Sequence, residues 1–357
     1  MAQSNESLGI LDLMRHPGFC VQENVVVRVN PAAENRHIHV GMPIQKLLET
    51  GKKEYGNYTG GCLYLALNVH GKPCHAAVNR IGDMDVFLLD QEDQESLQAM
   101  ALAARELRDP LTSIMSTADS LFPTVAADTD PKVREYLARM NRGLYQMLRI
   151  IGNMSDAERY ATENFAKMEV IDFTALIAEV LESVRTLLAQ SGITLEIQNL
   201  KKPVLGMGDR DMLERAILNL ISNATKYASK GSAIQAVLTK HGKSLCLTLE
   251  NQGDSIPEAL RSNVFHRYQR QTGMEDPRNG IGLGMVLVRN TAIQHGGTVL
   301  VSCPEEGGTR IAMTLAIRDN PSPVVRTPRL RIDYAGELDH GLIELAEILP
   351  AELYEIP

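Results

Sequence analysis

The sequence predicts an α+β multidomain protein: an N-terminal α/β module, a two-helix hairpin, and an α/β sandwich with a mixed sheet. Three observations lead there. Apolar and β-branched runs such as Val25–Val29 and Cys62–Asn68 are separated by turn residues through Asp90. From Leu97 to Met154, apolar residues recur in alternating steps of three and four on both sides of a proline-containing break. Beyond it, helical and alternating stretches interleave.

With 357 residues the chain has room for two or three domains. A net charge of −8 argues against free nucleic acid as a partner. No apolar run is long enough to span a bilayer, and no charged-then-apolar leader opens the sequence. Cys20, Cys62, Cys74, Cys246 and Cys303 are scattered without metal-ligand spacing, as expected of reduced thiols in a cytoplasmic protein. Cys74 and His75 are adjacent, so in a strand they point to opposite faces and chelate poorly.

In residues 1–92, Val25–Val29 runs into a helix start at Asn30-Pro31. Strands follow at Cys62–Asn68, through Val78, and at Val86–Asp90, with a turn at His70-Gly-Lys-Pro73. Strand, short helices and a three-stranded meander leading into a long helix resemble a PAS domain. His37 and His39 read as solvated side chains, and no ligand is implied.

Residues 93–162 carry the hairpin. Leu97, Met100, Ala104, Leu107, Leu111, Ile114, Ala118 and Leu121 form one seam; Val133, Leu137, Met140, Leu144, Met147, Ile151 and Met154 form the other. The break is expected at Phe122–Pro131. Two helices alone bury too little, so a homodimeric four-helix bundle is the expected completion.

Within residues 163–318, Phe173–Gln190 reads as a helix, and Ile193–Gln198 and Val204–Gly208 as extended segments. Asp211–Tyr227 is an amphipathic helix on which Asn219 and Asn223 lie one turn apart, followed by Lys226 and Tyr227. An amide oxygen is a hard ligand suited to Mg²⁺, and a lysine pairs with phosphate. Taken alone, this is an ordinary surface helix. Strands are expected at Ala233–Thr239, Leu245–Glu250, Thr298–Ser302 and Thr309–Ile317. Between them come Asn251-Gln-Gly-Asp-Ser-Ile-Pro257, Val264-Phe-His-Arg-Tyr268, Gly280-Ile-Gly-Leu-Gly-Met285 and Gly307-Gly-Thr309.

These segments, in this order and spacing, resemble the N, G1, F and G2 boxes of the GHKL ATP-binding family, and of sensor histidine kinases in particular. The resemblance covers Met168 to about Ile317 and implies ATP and Mg²⁺ as cofactors. It implies Asn223 as the Mg²⁺ ligand supported by Asn219, and Lys226 and Tyr227 on phosphate and ribose. It brings the backbone of Gly280, Gly282, Leu283 and Gly284 close to the triphosphate, at a helix N-terminus that favours anions, and it places Thr309 in the pocket. Asp254–Asn279 would be a lid anchored by Phe265 and Tyr268. Asn251 stands where the family has a carboxylate for the adenine amino group. Its amide oxygen still accepts that bond, with a loss of about 1 kcal/mol. Gly253 is kept, whereas Ser255 replaces the second glycine of that box.

Arg105-Glu-Leu-Arg-Asp-Pro-Leu-Thr112 is similar to the H-E-L-R-x-P-L core of the family's dimerisation helix. Arg105 replaces the phosphoacceptor histidine, and none of the nine histidines lies between Gln91 and Glu169. A guanidinium has no available lone pair and cannot attack a γ-phosphate. Glu106, the usual proton acceptor, has nothing to deprotonate. Asp109 stands where phosphatase-competent members often have Thr or Asn, and its charge repels a phospho-aspartate. Arg105 reads first as a solvated cation, alternatively as a dock for phosphate or for a partner's aspartate.

Residues 319–357 form a tail with prolines at 321, 323 and 328, a strand expected at Leu330–Ala335 and a short helix at Leu342–Leu349, packed on the nucleotide domain. The resulting expectation is a cytoplasmic histidine-kinase-like homodimer that binds Mg·ATP without its own acceptor, a regulatory pseudokinase whose partner is a response regulator or another kinase. The alternatives are a kinase or ATPase acting on a partner, and a structural dimer with a decayed nucleotide site.

Overall fold

The computed structural model describes residues 16–90, 94–126, 130–161, 166–256, 264–265, 282–318 and 338–355. At the N-terminus, β1 (Gly18–Gln22) and β2 (Val25–Val29) pair antiparallel around Glu23 and Asn24, both at positive φ. The sequence reading did not anticipate β1. Asn30 caps α1 (Pro31–Glu34): its side-chain oxygen accepts from Ala33 N at 2.9 Å and from Gly18 N at 3.0 Å, tying helix start to strand start. Two more short helices, α2 (Ile44–Leu47) and α3 (Lys52–Gly56), lead to a meander of β3 (Cys62–Val69), β4 (Lys72–Ile81) and β5 (Met84–Leu89). The β3–β4 turn is the two-residue His70-Gly71, with φ of 52° and 81°.

The two faces of β3 have different fates. Leu63, Leu65 and Leu67 enter the N-terminal core, where Phe19 and Phe87 stack at 4.7 Å. Cys62 and Tyr64 point the other way, into the core of the C-terminal half. There β3 pairs antiparallel with β11 (Val299–Ser302), aligning Cys62 with Val301 and Tyr64 with Val299. Gly61 allows this approach, since a Cβ there would lie 2.4 Å from the Val301 carbonyl oxygen.

One ten-stranded sheet results, ordered β2-β1-β5-β4-β3-β11-β12-β10-β9-β7. Its C-terminal strands are β7 (Thr194–Gln198), β9 (Ala233–His241), β10 (Ser244–Asn251), β11 and β12 (Thr309–Ala316). Among the described pairings of this sheet only β7–β9 is parallel, so the sheet is mixed as expected. A separate ladder joins β6 (Glu169–Asp172) to β8 (Leu205–Gly208). Helices α6 (Phe173–Gln190), α7 (Arg210–Tyr227) and α8 (Gly284–Gln294) share with the sheet one core that includes Leu176, Val180, Leu213, Ile217, Leu220, Leu247, Leu249 and Val288.

Helices α4 (Gln94–Ala126) and α5 (Pro131–Ala161) form the hairpin. α4 runs unbroken through Pro110 and into the expected break, as far as Ala126, because Phe122 is buried among Ala118, Leu144 and Ile151; the interruption falls within the expected stretch, before α5 starts at Pro131. The α4 seam divides by heptads. Leu97, Ala104, Leu111 and Ala118 are buried, whereas Leu107, Ile114 and Leu121 are about half exposed, as are Met140 and, more so, Tyr136 on α5.

The tail ends in α9 (His340–Glu344) and a 3₁₀ turn at Ala351–Tyr354. It packs on α5 as well as on α6 and α7, a wider seat than the nucleotide-domain contact expected. The strand expected at Leu330–Ala335 lies outside the described residues.

Candidate nucleotide site

The site is built where α7, α8 and the ends of β10 and β12 converge. α7 starts at Asp209, whose carboxylate accepts from Met212 N at 3.1 Å and from Lys167 N at 2.7 Å. The Asp209 N–H donates to His295 Nε2 at 2.9 Å, and His295 Nδ1 bonds the Thr291 carbonyl at 2.7 Å. An accepting Nε2 requires the neutral ring, and burial, the largest influence, lowers its pKa. His295 therefore ties the end of α8 to the start of α7.

Asn219, 1% exposed, donates from Nδ2 to the Arg215 carbonyl one turn back at 2.9 Å, and its Oδ1 meets no partner among the described residues. A Cβ on Gly284 would approach that oxygen to 2.6 Å, so only glycine lets α8 begin against it. Asn223 follows on the same edge and is half-buried. Lys226 Nζ lies 3.9 Å from Glu347 of the tail and 5.8 Å from the Tyr227 ring centroid, while Tyr227 is 41% exposed.

Across from α7, Gly253 is pressed against the helix end: a Cβ would lie 2.0 Å from the Tyr227 carbonyl oxygen. Asn251 aligns with Thr309 on β12. Both are buried, and Asn251 Nδ2 and Thr309 Oγ1 have no partner among the described residues. Gly308, at φ +85°, leaves room for the Asn251 carbonyl oxygen, which a Cβ would approach to 2.1 Å. Ser255 Oγ donates to the Gly308 carbonyl at 3.2 Å, joining the segment after β10 to the turn before β12. Gly282, at φ +77°, is exposed ahead of α8, and Leu283 is buried with Met212 and Leu287 against Leu97 of the hairpin. Gly280 and Tyr268 lie outside the described residues. Phe265 is fully buried, its ring 5.3 Å from Tyr64 of the N-terminal module.

Orphaned buried polar atoms are costly unless a ligand or water completes them. Three of them, on Asn219, Asn251 and Thr309, fall in segments singled out from the sequence, beside glycines that admit close approach. The residues fit a nucleotide. Asn251 would meet the base, Lys226 the phosphates, and Asn223 with Asn219 a metal ion; bound Mg²⁺ would neutralise phosphate charge.

Arg105 and Glu106 are exposed on α4 beside the buried Ala104, and Asp109 is exposed one turn on. The hairpin and the α/β sandwich meet elsewhere, at residues that sequence reasoning missed. Arg215 of α7 pairs with Asp156 and donates to Asn153 Oδ1 at 2.7 Å, both on α5. At the sheet junction, Asp90 accepts from Arg289 of α8 and from the Tyr64 hydroxyl, and the guanidinium lies 4.8 Å over the Tyr64 ring. No periodicity marks either cluster, because each draws partners from distant segments.

This is an ATP-binding α/β sandwich docked on a helical hairpin. Residues 208–319 match the family model for the histidine kinase-, DNA gyrase B- and HSP90-like ATPase, and residues 95–163 match the His Kinase A (phospho-acceptor) domain. The chain belongs to the histidine kinase family. It is 29% identical over 251 residues to the signal transduction histidine-protein kinase/phosphatase MprB of Mycolicibacterium vanbaalenii, covering 68% of this chain and 50% of that one. It is 29% identical over 239 residues to hybrid signal transduction histidine kinase D of Dictyostelium discoideum, covering 64% of this chain and 15% of that one. The chain thus spans half or less of the length of these two relatives. Among solved structures, full-length ShkA in complex with AMPPNP shares the fold, with a TM-score of 0.51 and 17% identity over 64% of this chain and 47% of that one. The structure of mycobacterial MprB is 31% identical, with a TM-score of 0.36, over 42% of this chain and 98% of that one.

Proposed function

We propose that the protein is a histidine-kinase-like signalling homodimer that binds Mg·ATP and does not phosphorylate itself, a regulatory pseudokinase of a two-component pathway. The observation that carries this reading is a contrast between its two halves. The asparagines and glycines that would hold the nucleotide are present, and buried polar atoms of Asn219, Asn251 and Thr309 have no partner among the described residues, while the position that would hold the acceptor on α4 is Arg105. A protonated guanidinium cannot act as the nucleophile.

Several features support the finer parts. The exposed heptad positions Leu107, Ile114 and Leu121 supply an apolar face for a second copy. The antiparallel strands β1–β5 with short helices between β2 and β3 support a PAS-like sensor in residues 1–92, a hairpin in 93–162 and a nucleotide domain in 163–318. No helix among the described residues is long and apolar enough to cross a membrane, in keeping with a cytoplasmic protein. A response regulator or a partner kinase is the expected counterpart.

The test is incubation of the purified protein with γ-labelled ATP, alone and with candidate regulators, beside Asn223→Ala. No label on the protein, together with nucleotide binding that Asn223→Ala abolishes, is the expected outcome. Self-labelling overturns the pseudokinase reading. Label only on a partner, lost in Asn223→Ala, replaces it with a kinase acting in trans.

A further inference from the structure

The tail occupies the groove between the hairpin and the sandwich. Glu344 is fully buried, although glutamate is almost never buried unless paired. Its carboxylate meets Arg149 of α5 at 3.2 Å and Arg215 of α7 at 3.4 Å, so one side chain joins both bodies. Glu347, one turn on, repeats the pattern: 2.9 Å to Arg149 and 3.9 Å to Lys226. Apolar contacts seat the segment, with Ile343, Leu345, Ala346 and Leu349 all fully buried. Gly341 brings α9 close to α6, where a Cβ would stand 3.0 Å from Val184. Further along, Tyr354 packs on Tyr145 of α5 at 5.1 Å and donates to the Leu342 carbonyl at 2.7 Å, closing the tail on itself.

We propose that residues 338–355 form an internal clamp that holds the nucleotide domain at one setting on the hairpin, and that Glu347 and the phosphates of the nucleotide compete for Lys226. The competition rests on the nucleotide reading given above; the clamp itself does not. Lys226 is the point where the two meet, because it closes the helix that also carries Asn219 and Asn223. A phosphate oxygen brings more negative charge than a carboxylate nearly 4 Å away, so a bound nucleotide draws Lys226 from Glu347. Arg149 then keeps Glu347, the Lys226 link is lost, and the tail loosens. By reciprocity, weakening the tail favours nucleotide.

Two full-length variants test this with Mg·AMPPNP as the probe. Glu347→Gln keeps the shape and removes the charge from a partly exposed side chain. Tyr354→Ala loosens the clamp away from Lys226. Calorimetry is expected to show Glu347→Gln binding roughly threefold to fivefold tighter than the unaltered protein, with Tyr354→Ala shifted in the same direction. Saturating nucleotide is expected to speed amide exchange across residues 343–349 of the unaltered protein. Equal or weaker binding by both variants, with tail exchange unmoved by nucleotide, overturns the clamp and leaves the nucleotide site standing. Absence of binding in all three folded proteins removes the nucleotide reading and the competition with it. Should Glu347→Gln fail to fold, Tyr354→Ala and the exchange measurement decide.

Discussion

Asp90→Asn is the sharpest probe of the junction between the N-terminal module and the nucleotide half. Asp90 and Arg289 form an ion pair whose side chains are 8% and 4% exposed. Removing one partner of a buried pair typically costs about 3–5 kcal/mol, because the remaining charge is stranded. Two contacts soften the loss. Asparagine still offers an oxygen to the Tyr64 hydroxyl, and Arg289 keeps the Tyr64 ring, a contact that contributes up to about 2 kcal/mol when desolvated. A net loss of about 3 kcal/mol follows, or about 6–12 °C in the melting transition. The effect should be local first. The β3–β11 ladder aligns only Cys62–Tyr64 with Val299–Val301, so it has few hydrogen bonds to hold it once the ion pair is gone. Amide exchange at Val299–Val301 should rise well above that at β10. The control is Glu182→Gln, which removes an exposed pair with Arg185 and should cost under about 0.5 kcal/mol. If Asp90→Asn melts within about 1 °C of the unaltered protein and β11 exchange is unchanged, the junction is not held as argued.

Three further outcomes are expected. His75 near the same junction has its pKa lowered to about 4, chiefly by burial and next by Arg289, with Asp90 opposing. The unfolded chain then takes up the extra proton, so stability falls as pH drops from about 6.5 toward 4, by at most about 3 kcal/mol. Urea titrations at several pH values, compared with His75→Gln, isolate this contribution, and identical slopes in the two proteins would contradict it. Ile114→Glu, at a position 53% exposed in the single chain, should leave the melting temperature nearly unchanged while light scattering reports a monomer. Arg105→His supplies a lone pair at position 105 of α4, and a low level of labelled phosphate should then appear on the hairpin, limited by the docked domain; a variant that binds nucleotide but stays silent even when the tail is loosened would place the block elsewhere.

Local patterns made much of the architecture legible. The Asp211–Tyr227 helix, the β9–β10 hairpin and the glycines around β12 follow from short-range spacing, and the structure places them together. Asn251 and Thr309 could be picked out singly, but only the β10–β12 register shows them side by side. The alternating three-and-four steps on α4 located a seam without separating its two halves. Burial distinguishes Ala104 and Leu111, covered within the chain, from Leu107 and Ile114, left open. The β3–β11 pairing had no signature, because a strand edge is completed by backbone groups that every residue carries. Glu344 illustrates the same limit. On a short amphipathic helix it reads as a solvated face, and its burial depends on arginines 195 and 129 residues away in sequence, at 149 and 215.

Under the proposed pseudokinase reading, the tail and Arg105 bear on each other. Bringing a nucleotide held by α7 and α8 to position 105 would, under that reading, require the nucleotide domain to leave the setting seen here. Here Leu283 and Leu287 pack with Leu97 at the base of α4, while Arg105 stands eight residues further along, about 12 Å up the helix. Reaching it would require opening the Arg215–Asp156 pair, the two Glu344 contacts and the apolar seat of Leu345 and Leu349. With no histidine between Gln91 and Glu169, the chain gains nothing from that motion under the proposed pseudokinase reading. Under the pseudokinase reading, a nucleotide held in place has another use: it changes what Lys226 pairs with, and so how firmly the tail joins the two bodies. The output would then be the shape of the hairpin dimer presented to a partner. On that view Arg105→His alone should label its hairpin poorly, and Arg105→His combined with Tyr354→Ala should label it faster. The order of those two rates, measured at saturating ATP, separates a missing nucleophile from a restrained domain.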